Sequence, residues 1–90
     1  MYELPEEVMK DENLTHIAKL VFAVVADFSK KNPASNLSYA TIAQKISLNE
    51  ITAMRSVKQL VEQGWLDVAK NDRGWNYYGV KERQVAGKQL

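Results

Sequence analysis

The fold is decided by residues 38–63, which read SYATIAQKISLNEITAMRSVKQLVEQ. Apolar and small residues recur with helical spacing over 39–46 and again over 50–63. Residues 47–49 leave room only for a tight turn between these two helices. The residue before each helix has a side chain that caps helix N-termini well, namely Ser38 for the first and Asn49 for the second. This segment therefore predicts a short helix, a three-residue turn and a longer helix.

The longer helix has two distinguishable faces. Its inward stripe is predicted to consist of Ala53, Val57, Leu60 and Val61. On a helical wheel of 100° per residue centred on Val57, the polar side chains fall on the opposite face. The outward residues are Ile51, Thr52, Arg55, Gln59 and Glu62, and the flanking residues are Ser56 and Lys58. Gly64 stands where a left-handed residue ends a helix, so the helix is expected to stop at Gln63.

Elements on both sides complete the domain. Upstream, helical spacing predicts a helix over 15–31, with Asn13 or Thr15 as its N-cap. Its buried stripe is expected to be Ile17, Leu20, Val21, Val24, Val25 and Phe28. Downstream of the longer helix the apolar period changes to two, and a turn cluster at 71–74 separates two β-rich runs. These runs predict a β-hairpin over 66–80.

The order of elements indicates an α+β domain with a three-helix core followed by a two-stranded hairpin. Two helices joined by a three-residue turn form a helix-turn-helix, and the hairpin makes it a winged helix-turn-helix. We expect this domain to span 13–80, after an acidic leader at 1–12 and before a polar tail at 81–90.

The same residues carry a resemblance to a known family. They read Leu14-Thr15-x-x-Ala18-Lys19-x-Val21, then Ser38-Tyr39-x-x-Ile42-Ala43, then Leu48-Asn49-x-x-Thr52-x-x-Arg55-x-Val57-x-x-Leu60-x-x-x-Gly64-Trp65-Leu66. This pattern resembles the winged helix-turn-helix domains of plasmid and phage replication-initiation proteins and of bacterial transcription regulators. The resemblance implies that Asn49 caps the recognition helix, that Thr52 faces the DNA groove, and that Arg55 contacts phosphate or base. At Glu50 and Ile51 the chain departs from the basic residues usual in the family.

The second helix of a helix-turn-helix lies in the major groove of DNA, which defines a set of candidate contacts. These are Ser38, Tyr39, Asn49, Ile51, Thr52, Arg55, Ser56, Lys58 and Gln59. Arginine and glutamine hydrogen-bond guanine and adenine edges, and a threonine methyl contacts thymine. The competing interpretation is that Ser38 is simply a cap, that Tyr39 only shields the first turn, and that the outward face is merely solvated.

The hairpin adds candidates at its tip. Lys70, Arg73 and Trp75 are predicted to enter a minor groove or contact phosphates. For Trp75 the alternative is an aromatic cross-strand pair with only a structural role. Alternation places Tyr78 and Val80 on the inward face, together with Leu66 and Val68.

One face of the first predicted helix needs a separate explanation. Ala18, Phe22 and Ala26 recur every four residues on the side opposite the main stripe. An exposed phenylalanine between small residues indicates a second packing surface. Either the leader folds over this face or a second subunit covers it, and we expect a homodimer interface.

Composition narrows the functional classes. The 90 residues have a net charge of +1, zero cysteines and a single histidine, His16. We therefore expect no enzyme, no cofactor and no metal site, and a cytoplasmic protein without a membrane segment. The leader at 1–12 has a charge of −4, so the rest of the chain has +5, which is compatible with a polyanionic partner.

Two functions are compatible with these features. The first is a small, sequence-specific binder of double-stranded DNA that acts as a transcription regulator or a replication accessory factor. The second is a protein-interaction module on a winged-helix scaffold, supported by the low net charge, Glu50 and Ile51. An exposed Ile51 beside Met54 would then anchor a protein partner.

Overall fold

The computed structural model describes residues 4–32, 36–70 and 76–80. In these ranges the chain forms four helices followed by one antiparallel hairpin. The helices are α1 Glu6–Met9, α2 His16–Lys31, α3 Tyr39–Ile46 and α4 Glu50–Glu62, and the strands are β1 Leu66–Lys70 and β2 Asn76–Val80. The architecture is an α+β winged helix-turn-helix, as the sequence predicts. None of the helices in these ranges is long and apolar enough to cross a bilayer.

The three long helices begin at capping side chains. Thr15 accepts a hydrogen bond from the backbone N–H of Ala18 at 3.1 Å, so Thr15 rather than Asn13 is the N-cap of α2. Ser38 and Asn49 cap α3 and α4 in the same way, as predicted. α4 ends one residue earlier than expected, because Gln63 is its C-cap and Gly64 takes the left-handed conformation with φ 81°.

The core lies where α2, α3 and α4 pack together. Its fully buried side chains include Val21 and Val25 from α2, Ile42 from α3 and Leu60 from α4. Leu66 adds the first residue of the hairpin to the same cluster. The hairpin is thus joined to the helices through one face, as a two-stranded sheet requires for stability.

The register of the hairpin agrees with the predicted alternation. Leu66 pairs with Val80, and Val68 pairs with Tyr78, so these positions alternate with the outward ones along both strands. Leu66 is buried, and Val68 and Tyr78 are half-buried against the core, which confirms their inward face. The side chain of Val80 lies outside the described part of the chain. Trp75, the first residue of the second predicted β-rich run, lies outside the described residues.

The prediction of a homodimer interface at Ala18, Phe22 and Ala26 is wrong. Ala18 is 0% exposed and Phe22 2% exposed, and Ala26 is half-buried against the same core. Of the two explanations open to the sequence, cover by the chain itself is the one observed. Residues 21–25 are all buried, so α2 is a central helix surrounded by the rest of the chain.

Two parts of the chain outside the three long helices join this core. Val8 of α1 is 0% exposed and belongs to the core cluster, which half-buried Leu4 also joins. Trp65, shortly after α4, places its ring edge-on to Phe22, with centroids 6.2 Å apart and planes at 74°. Leu20, which the sequence predicts to be inside, is 55% exposed.

Candidate nucleic-acid interface

The turn between α3 and α4 has a defined hydrogen-bond pattern. The N–H of Leu48 donates to the carbonyl of Ala43 at 2.9 Å, and the N–H of Ser47 donates to that of Gln44 at 3.3 Å. Ser47 is left-handed, with φ 58°. These features form a Schellman motif, which stops α3 abruptly and lets α4 begin three residues later. The three-residue turn predicted from the sequence is confirmed.

Two candidate contact residues cap the helices of this motif. The amide oxygen of Asn49 accepts from the N–H of Thr52 at 2.8 Å. The hydroxyl oxygen of Ser38 accepts from the N–H of Thr41 at 3.1 Å and lies 3.0 Å from the Thr41 hydroxyl. Both caps are exposed, whereas Tyr39 is half-buried against the core. Each cap oxygen stabilises the start of its helix, and the donor groups of both side chains are the ones suited to a phosphate oxygen.

The inward face of α4 is rotated from the predicted one. The buried residues are Ala53, Ser56, Val57 and Leu60, and their mean direction lies about 50° from Val57 on the helical wheel. Ser56 is 6% exposed, so its predicted position on an accessible flank is wrong, and it is not a surface contact. Val61, predicted inward, is 40% exposed.

The rotation leaves a mixed face toward solvent. Ile51 is 58% exposed, and Arg55 and Lys58 are also exposed, in agreement with the sequence prediction. Met54 is 41% exposed and lies on the same side of the helix. Thr52 is half-buried and lies at the edge of this exposed face. We define the groove-facing surface as Ile51, Met54, Arg55 and Lys58. It combines two cations with two apolar side chains, and the exposed anion Glu62, also predicted outward, follows one turn later on the same face. Contact of this surface with DNA stays a prediction.

Gln59 does not belong to this surface. Its side-chain oxygen accepts from the backbone N–H of Thr15 at 2.9 Å and lies 3.4 Å from the Thr15 hydroxyl. Recognition of adenine requires both the oxygen and the nitrogen of a glutamine amide. The oxygen of Gln59 thus joins α4 to the start of α2, and a base contact by its amide nitrogen stays a prediction.

A contact between the leader and the segment after α4 was not predicted. The indole nitrogen of Trp65 donates to a carboxylate oxygen of Asp11 at 2.8 Å, and the other oxygen of Asp11 accepts from the N–H of Asn13 at 2.9 Å. Trp65 is 4% exposed. The available sequence signal was Gly64, since the residue after a left-handed C′ glycine commonly packs back on the helix. Here the N–H of Trp65 bonds to the carbonyl of Leu60 at 2.8 Å.

The net charge of the motif is small. Over α3 and α4, the cations Lys45, Arg55 and Lys58 outnumber the anions Glu50 and Glu62 by one. Phosphate attraction grows with the number of cations that reach the backbone. The helices alone thus attract a polyanion only weakly.

The predicted contacts at the hairpin tip are not described by the structure. The backbone of Lys70 pairs with Asn76, which places Lys70 at the end of β1. Its side chain, together with Arg73 and Trp75, lies outside the described residues. These three positions stay predictions.

Comparison with known proteins gives one result. A family model described as a helix-turn-helix domain matches residues 12–66, which include α2, α3, α4 and the turn between the last two. No curated protein and no solved structure matches the chain. Because the match covers more than half of the sequence and coincides with the helical core described above, the chain belongs to the helix-turn-helix domain family.

Proposed function

We propose that this protein binds double-stranded DNA at specific sequences and acts in the cytoplasm as a transcription regulator or a replication accessory factor. In this proposal α4 lies in the major groove, and the hairpin at 66–80 contacts the backbone or a minor groove. The observation that carries it is the outward direction of Ile51, Arg55 and Lys58 on the second helix of a helix-turn-helix. No catalytic role is part of the proposal.

In this binding mode, the two cations of α4 and the start of α3 contact different parts of the DNA. Arg55 lies one turn beyond the start of α4, where a guanidinium reaches the two acceptors of a guanine edge. Lys58 lies almost one further turn along and would contact a phosphate as a point charge. Ser38 and Tyr39 at the start of α3 would place backbone N–H groups and a hydroxyl near a second phosphate.

The decisive experiment starts from a random duplex pool, so that the protein itself selects its target sequence. Bound duplexes are recovered and sequenced, and fluorescence anisotropy then measures the dissociation constant of the best duplex at several salt concentrations. If about four phosphates are neutralised per copy, the logarithm of affinity falls with the logarithm of salt at a slope near −4. Binding that is independent of salt contradicts the proposal.

Arg55→Ala tests the base contact, with Lys10→Ala as a matched loss of one positive charge. Lys10 pairs with Glu6 at 2.7 Å in the leader, outside the helix-turn-helix. Arg55→Ala is expected to weaken binding to the selected duplex by about 1–3 kcal/mol and to relax preference at one base pair. Lys10→Ala should leave both unchanged. Equal effects of the two substitutions would show that only net charge matters.

One observation favours a second function, that of a protein-docking module. Leu48, Ile51 and Met54 are each at least 41% exposed around the start of α4, and Glu50 stands among them. Exposed apolar residues at this place also suit a protein partner. Passage through a heparin column without retention at low salt would favour docking over DNA binding.

A further inference from the structure

We infer that Ile51 contacts the 5-methyl group of a thymine in the DNA target, so that the protein requires thymine at that position. This inference rests on the proposed function, and it names the base that the first turn of α4 selects.

The first support is the position of Ile51. It is the second residue of α4, two positions after the N-cap Asn49. The N-terminal residues of a recognition helix are those that contact base edges in the major groove. Ile51 is also the most exposed large apolar side chain in the described part of the molecule, at 58%. In the proposed binding mode it therefore points toward the base edges, and it does not contribute to the core.

The second support is its chemistry. An isoleucine has no hydrogen-bond donor or acceptor, so it gains nothing from the polar edges of guanine, cytosine or adenine. The apolar group that B-DNA presents in the major groove is the methyl of thymine. Met54 lies three residues further along the same helix face and is 41% exposed, which extends the apolar contact.

The third support is the low net charge of α3 and α4 together with the small apolar area of the groove-facing surface. α3 and α4 together have a net charge of only +1, so phosphate contacts leave a deficit that base contacts have to fill. A protein interface is the competing occupant, but stable interfaces bury about 800 Å² per partner and exclude charge from their centre. Here the apolar residues are few and stand beside Glu50, Arg55 and Lys58. A base edge fits this small, mixed surface better.

The experiment replaces thymine by uracil, which removes the methyl and keeps the hydrogen-bonding edge. The best duplex selected from the random pool is synthesised with uracil at each thymine in turn, and anisotropy measures affinity for wild type and Ile51→Ala. At the contacted position, uracil should weaken wild-type binding about fourfold, the value of one buried methyl. Ile51→Ala should weaken binding to the thymine duplex roughly tenfold and remove the difference between thymine and uracil.

Val61→Ala is the matched control. Val61 is an exposed apolar residue of the same helix, 40% exposed and near its other end. This variant should bind as wild type does and keep the sensitivity to uracil. Ile51→Val should lose less affinity than Ile51→Ala and keep part of the sensitivity to uracil. Thermal unfolding checks that all three variants are folded, which the exposure of both positions leads us to expect.

The outcomes distinguish failure of the thymine contact from failure of DNA binding. If wild type selects and binds duplexes but uracil weakens binding nowhere, the thymine contact is refuted and DNA binding stands. If uracil weakens Ile51→Ala as much as wild type, another residue contacts the methyl and the inference fails. If wild type binds no duplex even at low salt, the proposed function itself fails, and the thymine contact fails with it.

Discussion

The hydrogen bond from Trp65 to Asp11 gives the sharpest test of how the leader is attached. Asp11→Ala removes the carboxylate that accepts from the indole nitrogen at 2.8 Å. Trp65 itself is 4% exposed, and its ring packs edge-on against Phe22. The substitution thus acts at the point where the leader, the end of α4 and the centre of α2 meet. We expect a loss of stability much larger than the average for a surface aspartate.

The size of this stability loss follows from the charge of Asp11 and the burial of Trp65. A hydrogen bond to a charged group contributes about 1.5–3 kcal/mol when one partner is buried. The N–H of Asn13 loses its acceptor as well, but that bond is exposed and adds little. A net loss of about 2 kcal/mol is expected. In a domain of this size each 1 kcal/mol shifts the melting temperature by about 4–8 °C, so Asp11→Ala should melt roughly 8–16 °C lower.

Urea unfolding followed by far-ultraviolet circular dichroism measures this loss. Glu12→Ala is the matched control, because it removes the same charge from the neighbouring, exposed residue and should change stability by less than about 0.5 kcal/mol. Asp11→Asn retains an acceptor oxygen and should fall between the two. If Asp11→Ala unfolds at the same urea concentration as Glu12→Ala, the indole bond does not hold the leader and the reasoning is refuted.

Two further predictions concern stability. Val8→Ala should destabilise the protein by about 2 kcal/mol, because Val8 is 0% exposed, whereas Met9→Ala at a 54% exposed neighbour should be nearly neutral. Equal melting temperatures of these two variants would contradict the placement of α1 in the core. Gly64→Ala should destabilise by about 1 kcal/mol and Ser47→Gly should stabilise by a similar or smaller amount, because both positions have positive φ. Shifts of the same sign in urea unfolding would contradict this explanation.

The sequence was sufficient to predict those structural features that depend only on residues close together in the chain. The N-caps Ser38 and Asn49, the tight turn before α4 and the left-handed Gly64 all follow from local hydrogen bonding and backbone preference. The alternation of Leu66, Val68 and Tyr78 in the hairpin is local as well, and it was predicted correctly. These features together determine the order of elements and hence the winged helix-turn-helix architecture.

The sequence was insufficient where a distant segment decides which side of a helix is buried. The periodicity of α2 is compatible with more than one inward direction, because apolar residues occur almost all around it. Trp65 packs against Phe22 and Val8 joins the same buried cluster, and no local pattern connects either residue to α2. The prediction of a dimer interface was wrong for this reason. The sequence does not show which segment packs against this apolar face, and that segment belongs to the same chain.

The outward face of α4 is determined by the same long-range contacts. Ser56 faces the core because the helix is rotated, and Gln59 is held by Thr15 at one edge of the helix. With those two polar residues withdrawn, the remaining groove-facing side chains are fewer and more apolar than the sequence suggested. A surface of this kind attracts phosphates weakly, so useful affinity at physiological salt requires contacts that only a matching sequence supplies. Under the proposed function, the modest charge of α3 and α4 is therefore compensated by contacts to the bases.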